Sequence, residues 1–164
     1  MNLIKYPNHW LHQSVKDFDF DKLDAPKIEL EMIDTMRLEK GIGLAANQVE
    51  LDAKIFVMQP HSLKDKTEPF AVINPVILEA TTDLVLMEEG CLSFPKLYLK
   101  ISRPHTILVK YLDSKQKECI MRLNEMDARI FLHEFDHLYG INFIDRVSKL
   151  KLDMALKKQQ KLIN

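Results

Sequence analysis

The chain has 164 residues, 46% of them apolar, and a formal net charge of −1. That is enough for one domain with a real core, and it excludes a global field that would draw the protein to nucleic acid or an anionic membrane. Two cysteines, Cys91 and Cys119, are too few for a small secreted disulfide scaffold, so a reducing compartment is expected.

The first segment, Met1 to Asp24, mixes aromatic and acidic residues with Pro7 and reads as an irregular arm. Its opening residues show neither the apolar run of a signal peptide nor the arginine-rich, acid-free character of a transit peptide. Pro26 then sits where a helix can start, because its missing N–H is not needed there. Ile28, Met32, Ile33 and Met36 follow at helical spacing, and Gly41 is placed as a stop, which predicts an amphipathic helix over Pro26–Lys40. The middle of the chain reads as strands: Lys54–Met58, Phe70–Ala80, Thr82–Glu88, Thr106–Leu112 and Lys117–Leu123, with Asp113–Ser114 as a hairpin turn. Prolines 60, 69, 75, 95 and 104 interrupt or bound these runs. Asn124 is then an N-cap for a helix that carries Met126, Ile130 and His133 and stops at Gly140. A lysine-rich helix closes the chain from about Ser148 to Leu162. Helix, antiparallel-looking strands and helix in that order predict a single α+β domain over residues 1–164. No stretch is long enough to span a bilayer, and the expectation is a cytoplasmic protein.

The strongest chemical signal is His133-Glu134-Phe135-Asp136-His137, an H-E-x-x-H pattern on a predicted helix. Residues four apart share a helix face, so both imidazoles converge on one ion. Glu134 lies about 100° round from His133, near the ion but free to handle a proton. A catalytic site of this kind takes three protein ligands and leaves one position for water. Asp145, Asp153 and Asn142 are the downstream candidates for the third ligand. Upstream lies Glu89-Gly90-Cys91-Leu92-Ser93, whose thiolate suits a borderline-soft divalent ion, although a lone cysteine is more often a small buried hydrophobe. A third stretch, Gly41 to Gln48, reads as a tight loop after a helix. It is not a nucleotide loop, since it has no Lys-Ser/Thr pair and no preceding strand. In it Gln48 offers a side-chain amide that can donate to a developing oxyanion.

Together these stretches resemble the signature motifs of the peptide deformylases, in family order: Gly41-Ile42-Gly43-Leu44-Ala45-Ala46-Asn47-Gln48, then Glu89 to Ser93, then His133 to His137 continuing through Leu138 and Gly140. The segment Leu3–Leu11, with Tyr6-Pro7-Asn8, is similar to the family's opening arm. The resemblance implies antiparallel sheets around a central metal-binding helix, flanked by an N-terminal and a C-terminal helix. It implies removal of the formyl group from formyl-methionyl nascent chains. Cys91, His133 and His137 would hold one divalent metal, Fe²⁺ natively, with Zn²⁺, Ni²⁺ or Co²⁺ as other ions this donor set accepts. Glu134 would be general base and then general acid, and Gln48 with the Leu92 N–H would hold the oxyanion. The peptide would pair as an added strand with main chain around Ile42, Gly43 and Gly90. Ile42, Met87, Met126 and Ile130 would line the methionine pocket, where flexible apolar side chains suit a thioether.

The family usually has Gln before the first metal-binding His, and Leu132 stands there instead. Glu89 and Arg103 match family positions and are expected to pair and brace the Cys91 loop. Asp136 reads either as a partner that fixes a ligand or an arginine, or as a solvated helix carboxylate. Lys149, Lys151, Lys157, Lys158 and Lys161 make the C-terminal helix basic. It closes the domain or touches ribosomal RNA near the exit tunnel. Monomer is the expected state, and a bacterium or a phage-infected host the expected source. The rival readings are a generic zinc metallopeptidase, which would have no use for Cys91, and a non-catalytic relative, against which the intact Glu134, Gln48 and Cys91 argue. A cysteine or serine nucleophile at Cys91 or Ser93 is disfavoured because both helix histidines are already committed to metal.

Overall fold

A computed structural model describes residues 1–164. The arm is irregular apart from a 3-10 turn over His9–His12, where the Asn8 side chain accepts from the Trp10 N–H. Helix α1 spans Ala25–Leu38, and Asp24 caps it by accepting from the Lys27 N–H at 3.1 Å. Lys40, not Gly41, takes the left-handed conformation at its end, at φ 59°. Gly41 instead donates its N–H to the Met36 carbonyl, the bond that closes a helix C-terminus. The Leu92 side chain lies against Gly41, its methyl 2.5 Å from where a Cβ would sit, so a larger residue here would make Leu92 shift.

The strands are β1 (Gly43–Ala45), β2 (Ile55–Met58), β3 (Phe70–Ala80), β4 (Leu84–Cys91), β5 (Phe94–Pro104), β6 (Thr106–Leu112) and β7 (Glu118–Asn124). They form an antiparallel five-stranded sheet, β1-β2-β3-β6-β7, and a separate two-stranded sheet, β4-β5. Two strands lie outside the sequence expectation. Gly43–Ala45 is a short strand rather than part of a loop, and β5 fills a stretch bounded by Pro95 and Pro104. Those prolines are tolerated because β4-β5 has only edges. Within β5, Leu97, Leu99, Ile101 and Arg103 point inward and alternate with exposed Tyr98, Lys100 and Ser102. In β3 the register slips beside Asn74-Pro75, where Asn74 adopts φ 49° and its side chain bonds both backbone groups of Phe18. That bulge ties the arm to the central strand of the sheet.

Helix α2 spans Glu125–Leu138 and α3 spans Lys149–Ile163. Asn124 occupies the N-cap position of α2, but its side chain does not cap. It accepts from the Thr106 hydroxyl at 2.9 Å. Gly140 ends α2 in the left-handed region at φ 71°, as its place in the sequence suggests. Apolar side chains gather in two clusters. The large one joins α1, the five-stranded sheet and one side of α2. The small one is Leu11, Phe94, Leu97, Leu99, Ile101 and Phe143, under the two-stranded sheet, with α3 resting on it through Leu152 and Ala155. Helix α2 runs between the two clusters and is therefore buried nearly all round. The result is the α+β arrangement of antiparallel sheets about a central helix. No helix is long and apolar enough to cross a membrane.

Candidate metal centre

A helix buried on every side cannot leave its polar side chains to water, so each must find a partner. Asp127 accepts from the N–H groups of His61 and Ser62 and from the Ser62 hydroxyl, at 2.6, 3.0 and 2.7 Å. Arg129 donates to Glu89 and to the carbonyls of Ile101 and Val85, at 2.6, 2.7 and 2.6 Å. Asp136 accepts from Arg103 at 2.7 Å and from Arg146 at 2.5 and 3.0 Å. Two side-chain atoms on the helix remain without a partner: Glu134 Oε2 and His137 Nδ1.

Glu134 is next to the place where donors converge. One donor atom each from Cys91, His133 and His137 lie within 4.8 Å of one another, with Cys91 Sγ 3.4 Å from His137 Nε2. The two imidazoles come from α2 and the thiol from the end of β4, so the site forms only when the small sheet docks on the helix. His133 Nδ1 lies 2.8 Å from a Glu89 oxygen. A carboxylate there accepts from Nδ1–H and so leaves Nε2 with its lone pair toward the site. Glu89 also accepts from Arg103 at 2.7 and 3.0 Å and from Arg129 at 2.6 Å. Burial would raise the Glu89 carboxyl, but the bonds from His133 and Arg103 outweigh it and hold it well below the usual carboxylate range.

Burial and the neighbouring His133 keep the His137 pKa well below its ordinary value, so its imidazole is neutral and able to ligate. Burial also disfavours charge on His133, yet Cys91 and then Glu89 outweigh it and raise its pKa. For Glu134 burial dominates and pushes the carboxyl up to about 7, against the pull of His133 and Arg103. A thiolate, two imidazoles and one orphaned carboxylate oxygen beside them fit a divalent ion of borderline softness.

The centre opens on a cleft of about 570 Å³, within the range of small-molecule sites. Ile42, Gly43, Gln48, Gly90, Cys91, Leu92, Met126, Ile130, His133 and Glu134 all line it. Ile42 is 53% exposed at its mouth. Met87 does not line it. It sits half-buried on the same side of β4 as Glu89 and Cys91, four residues before Cys91 and beyond the end of the cleft. Leu132 also lies away from the cleft, in the large apolar cluster. Asp145, Asp153 and Asn142 are not in the donor cluster, and Asp145 is used to cap Asn142 N–H at 2.8 Å. Gly43 is fixed by close approach: a Cβ there would collide with the Glu134 carboxylate. Gln48 is turned so that Oε1 accepts from the Ala45 N–H at 2.8 Å, which leaves Nε2 near Ser93 and 3.5 Å from Cys91 Sγ.

Four participating residues were not anticipated. Arg129 stands four before His133, a helix-face signal present in the sequence. Arg146 pairs with Asp136 from beyond the Gly140 stop. Asn47, fully buried, donates from Nδ2 to the His137 carbonyl. Ser93, also fully buried, bridges Gln48 and the arm.

The chain is similar to known proteins over nearly its whole length. A profile of the family "Polypeptide deformylase" matches residues 1–153. The peptide deformylase of Mesorhizobium japonicum is 40% identical over 162 residues, covering 98% of this chain and 91% of its own. That of Pelagibacter ubique is 37% identical over 161 residues, covering 98% and 94%. Among solved structures, the Synechococcus elongatus peptide deformylase in complex with actinonin superposes with a TM-score of 0.89 at 33% identity, covering 98% of this chain and 88% of that one. A family match over nearly the whole chain, on a fold that gathers Cys91, His133 and His137 beside Glu134, identifies the chain as an enzyme of the polypeptide deformylase family.

Proposed function

We propose that the chain removes the formyl group from the N-terminal formyl-methionine of nascent polypeptides by metal-assisted hydrolysis, with Glu134 moving the proton. The observation that carries this is the convergence of Cys91, His133 and His137 beside a buried Glu134 oxygen that has no partner. Cys91, His133 and His137 would hold a divalent ion, which would supply Lewis acidity and lower the pKa of a bound water. Iron(II) is the native ion in this reading, on the family resemblance. Glu134 accepts the proton of the attacking water. A carboxyl whose pKa stands near 7 is well matched to take that proton and give it back at neutral pH. As the formyl oxygen gains charge, Gln48 Nε2 and the Leu92 N–H donate to it. Glu134 then protonates the departing amine, and formate leaves. Ile42, Gly43 and Gly90 hold the peptide main chain, and Met126 and Ile130 accept the methionine side chain.

Formate release from a short formyl-methionyl peptide tests the reading, with enzyme purified anaerobically with Fe²⁺ beside its Glu134→Ala variant. Release by the first and not the second, with internal peptide bonds intact, is the expected result. No release from folded protein holding one metal per chain refutes it. Helix α3 has no buried residue and carries five lysines. Contact with the ribosome through it is part of the proposal, and unchanged ribosome co-sedimentation after removal of Lys149–Asn164 would discard that part.

A further inference from the structure

The residues that present Gln48 form a hydrogen-bond chain with a single possible direction. Gln48 Nε2 lies 3.0 Å from Ser93 Oγ, and Ser93 Oγ lies 2.9 Å from the carbonyl oxygen of Ile4. A hydroxyl has one proton, and a carbonyl can only accept. The Ser93 proton therefore goes to Ile4, and Ser93 must accept from Gln48. At the other end of the amide, Oε1 accepts from the Ala45 N–H at 2.8 Å. Both ends of the Gln48 amide are thus assigned by groups that cannot reverse their roles. One Nε2 proton is taken by Ser93, and the second is left for Cys91 Sγ and the cleft.

The arm is registered against both loops it serves. Ile4 donates its N–H to the Gln48 carbonyl at 2.9 Å, and Tyr6 donates its N–H to the Ser93 carbonyl at 2.9 Å. The Tyr6 ring stacks on Phe94 at 4.9 Å between centroids. Ser93, Gln48 and Ala45 are 1% exposed or less, so water does not compete for these bonds.

We propose that Ser93 is a positioning residue that sets the donor polarity of Gln48, and that the N-terminal arm, through the Ile4 carbonyl, fixes the direction of the Ser93 hydroxyl. The inference rests on the reading of Gln48 as an oxyanion donor. With the hydroxyl gone, Nε2 loses the acceptor that orients it, and its second proton is no longer held toward the formyl oxygen. The effect falls on the step in which charge develops, so it lowers kcat and leaves KM and metal content unchanged.

The test is a double-mutant cycle of Ser93→Ala with Gln48→Ala, reading kcat, KM and bound metal. Ser93→Ala is expected to lower kcat roughly tenfold in the parent, with KM unchanged, and to have no further effect once Gln48 is alanine. Equal losses in both backgrounds, or an unchanged kcat in the parent, overturn the proposal. If Gln48→Ala itself leaves kcat unchanged, the oxyanion reading fails, which is a separate result. Deletion of residues 2–5, which removes the Ile4 carbonyl that accepts from Ser93, runs in the same cycle under the same criterion and decides the matter if Ser93→Ala does not fold.

Discussion

Replacing Glu89 by glutamine changes one atom and removes one negative charge from the most densely connected point of the molecule. Glu89 faces Arg103, Arg129 and the His133 imidazole through four contacts between 2.6 and 3.0 Å. Arg103 and Arg129 are each 5% exposed. Asp136 remains for Arg103, and the carbonyls of Ile101 and Val85 remain for Arg129, so the loss is partial for each. Removing one partner of a buried ion pair costs about 3–5 kcal/mol, mostly as the penalty of the charge left behind. For a domain of this length that is a fall of roughly 6–20 °C in the unfolding midpoint. Glutamine also presents an amide where His133 Nδ1 needs an acceptor, so metal affinity should drop about 10- to 100-fold. Thermal unfolding of the metal-depleted protein reads the first effect, and competition with a chelator reads the second. A Glu89→Gln protein that unfolds within 2 °C of the parent, using ~2–4 °C per kcal/mol as the scale, and that holds metal equally tightly, would refute the view that this carboxylate braces the site.

Glu134 gives a pH signature. Its folded pKa, about 7, lies above its ordinary 4.5. The folded state therefore holds the proton more tightly, and the stability this contributes is full below pH 4.5 and is lost as pH rises through 7. In metal-depleted protein, Glu134→Gln should remove this decline and gain on the parent by about 3 kcal/mol at high pH. Parallel pH–stability curves for the two proteins would contradict it. Gly43→Ala should lower formate release by about tenfold or more, because its methyl meets the Glu134 carboxylate, while the unfolding midpoint moves little. Unchanged turnover would show that the carboxylate has room to move. Removing 157–164 takes away no buried residue and should shift the midpoint by less than ~2 °C, with deformylation unaffected.

The central helix was legible because its chemistry is local. His133 and His137 are one turn apart, and the Gly140 stop stands where the pattern ends. The boundaries of β3 and β6 were legible for the same reason, as apolar runs with punctuation at both ends. What could not be read is what the tertiary fold alone brings together. Asn124 is a good N-cap by type, but Thr106 on the neighbouring strand takes its side chain. Met87 has the chemistry of a methionine pocket, but it stands four residues before Cys91 on β4, beyond the end of the cleft. The strand β5 was hidden by Pro95 and Pro104, which mark breaks in most contexts and are harmless on a two-stranded ribbon. Arg146 and Ser93 matter through partners in other elements, and no spacing rule near them announces that.

The three candidate metal donors bridge two apolar clusters. His133 and His137 belong to the helix embedded in the large apolar cluster, whereas Cys91 packs against the small one. Between the two clusters runs a layer of charge: Glu89, Arg103, Arg129 and Asp136, all buried. An ion at the centre is therefore a rivet through a seam, and chelation should let the seam part before either cluster melts. The Cys91 thiol would then become reactive to alkylation, and activity would disappear, while the secondary structure measured by circular dichroism is still intact.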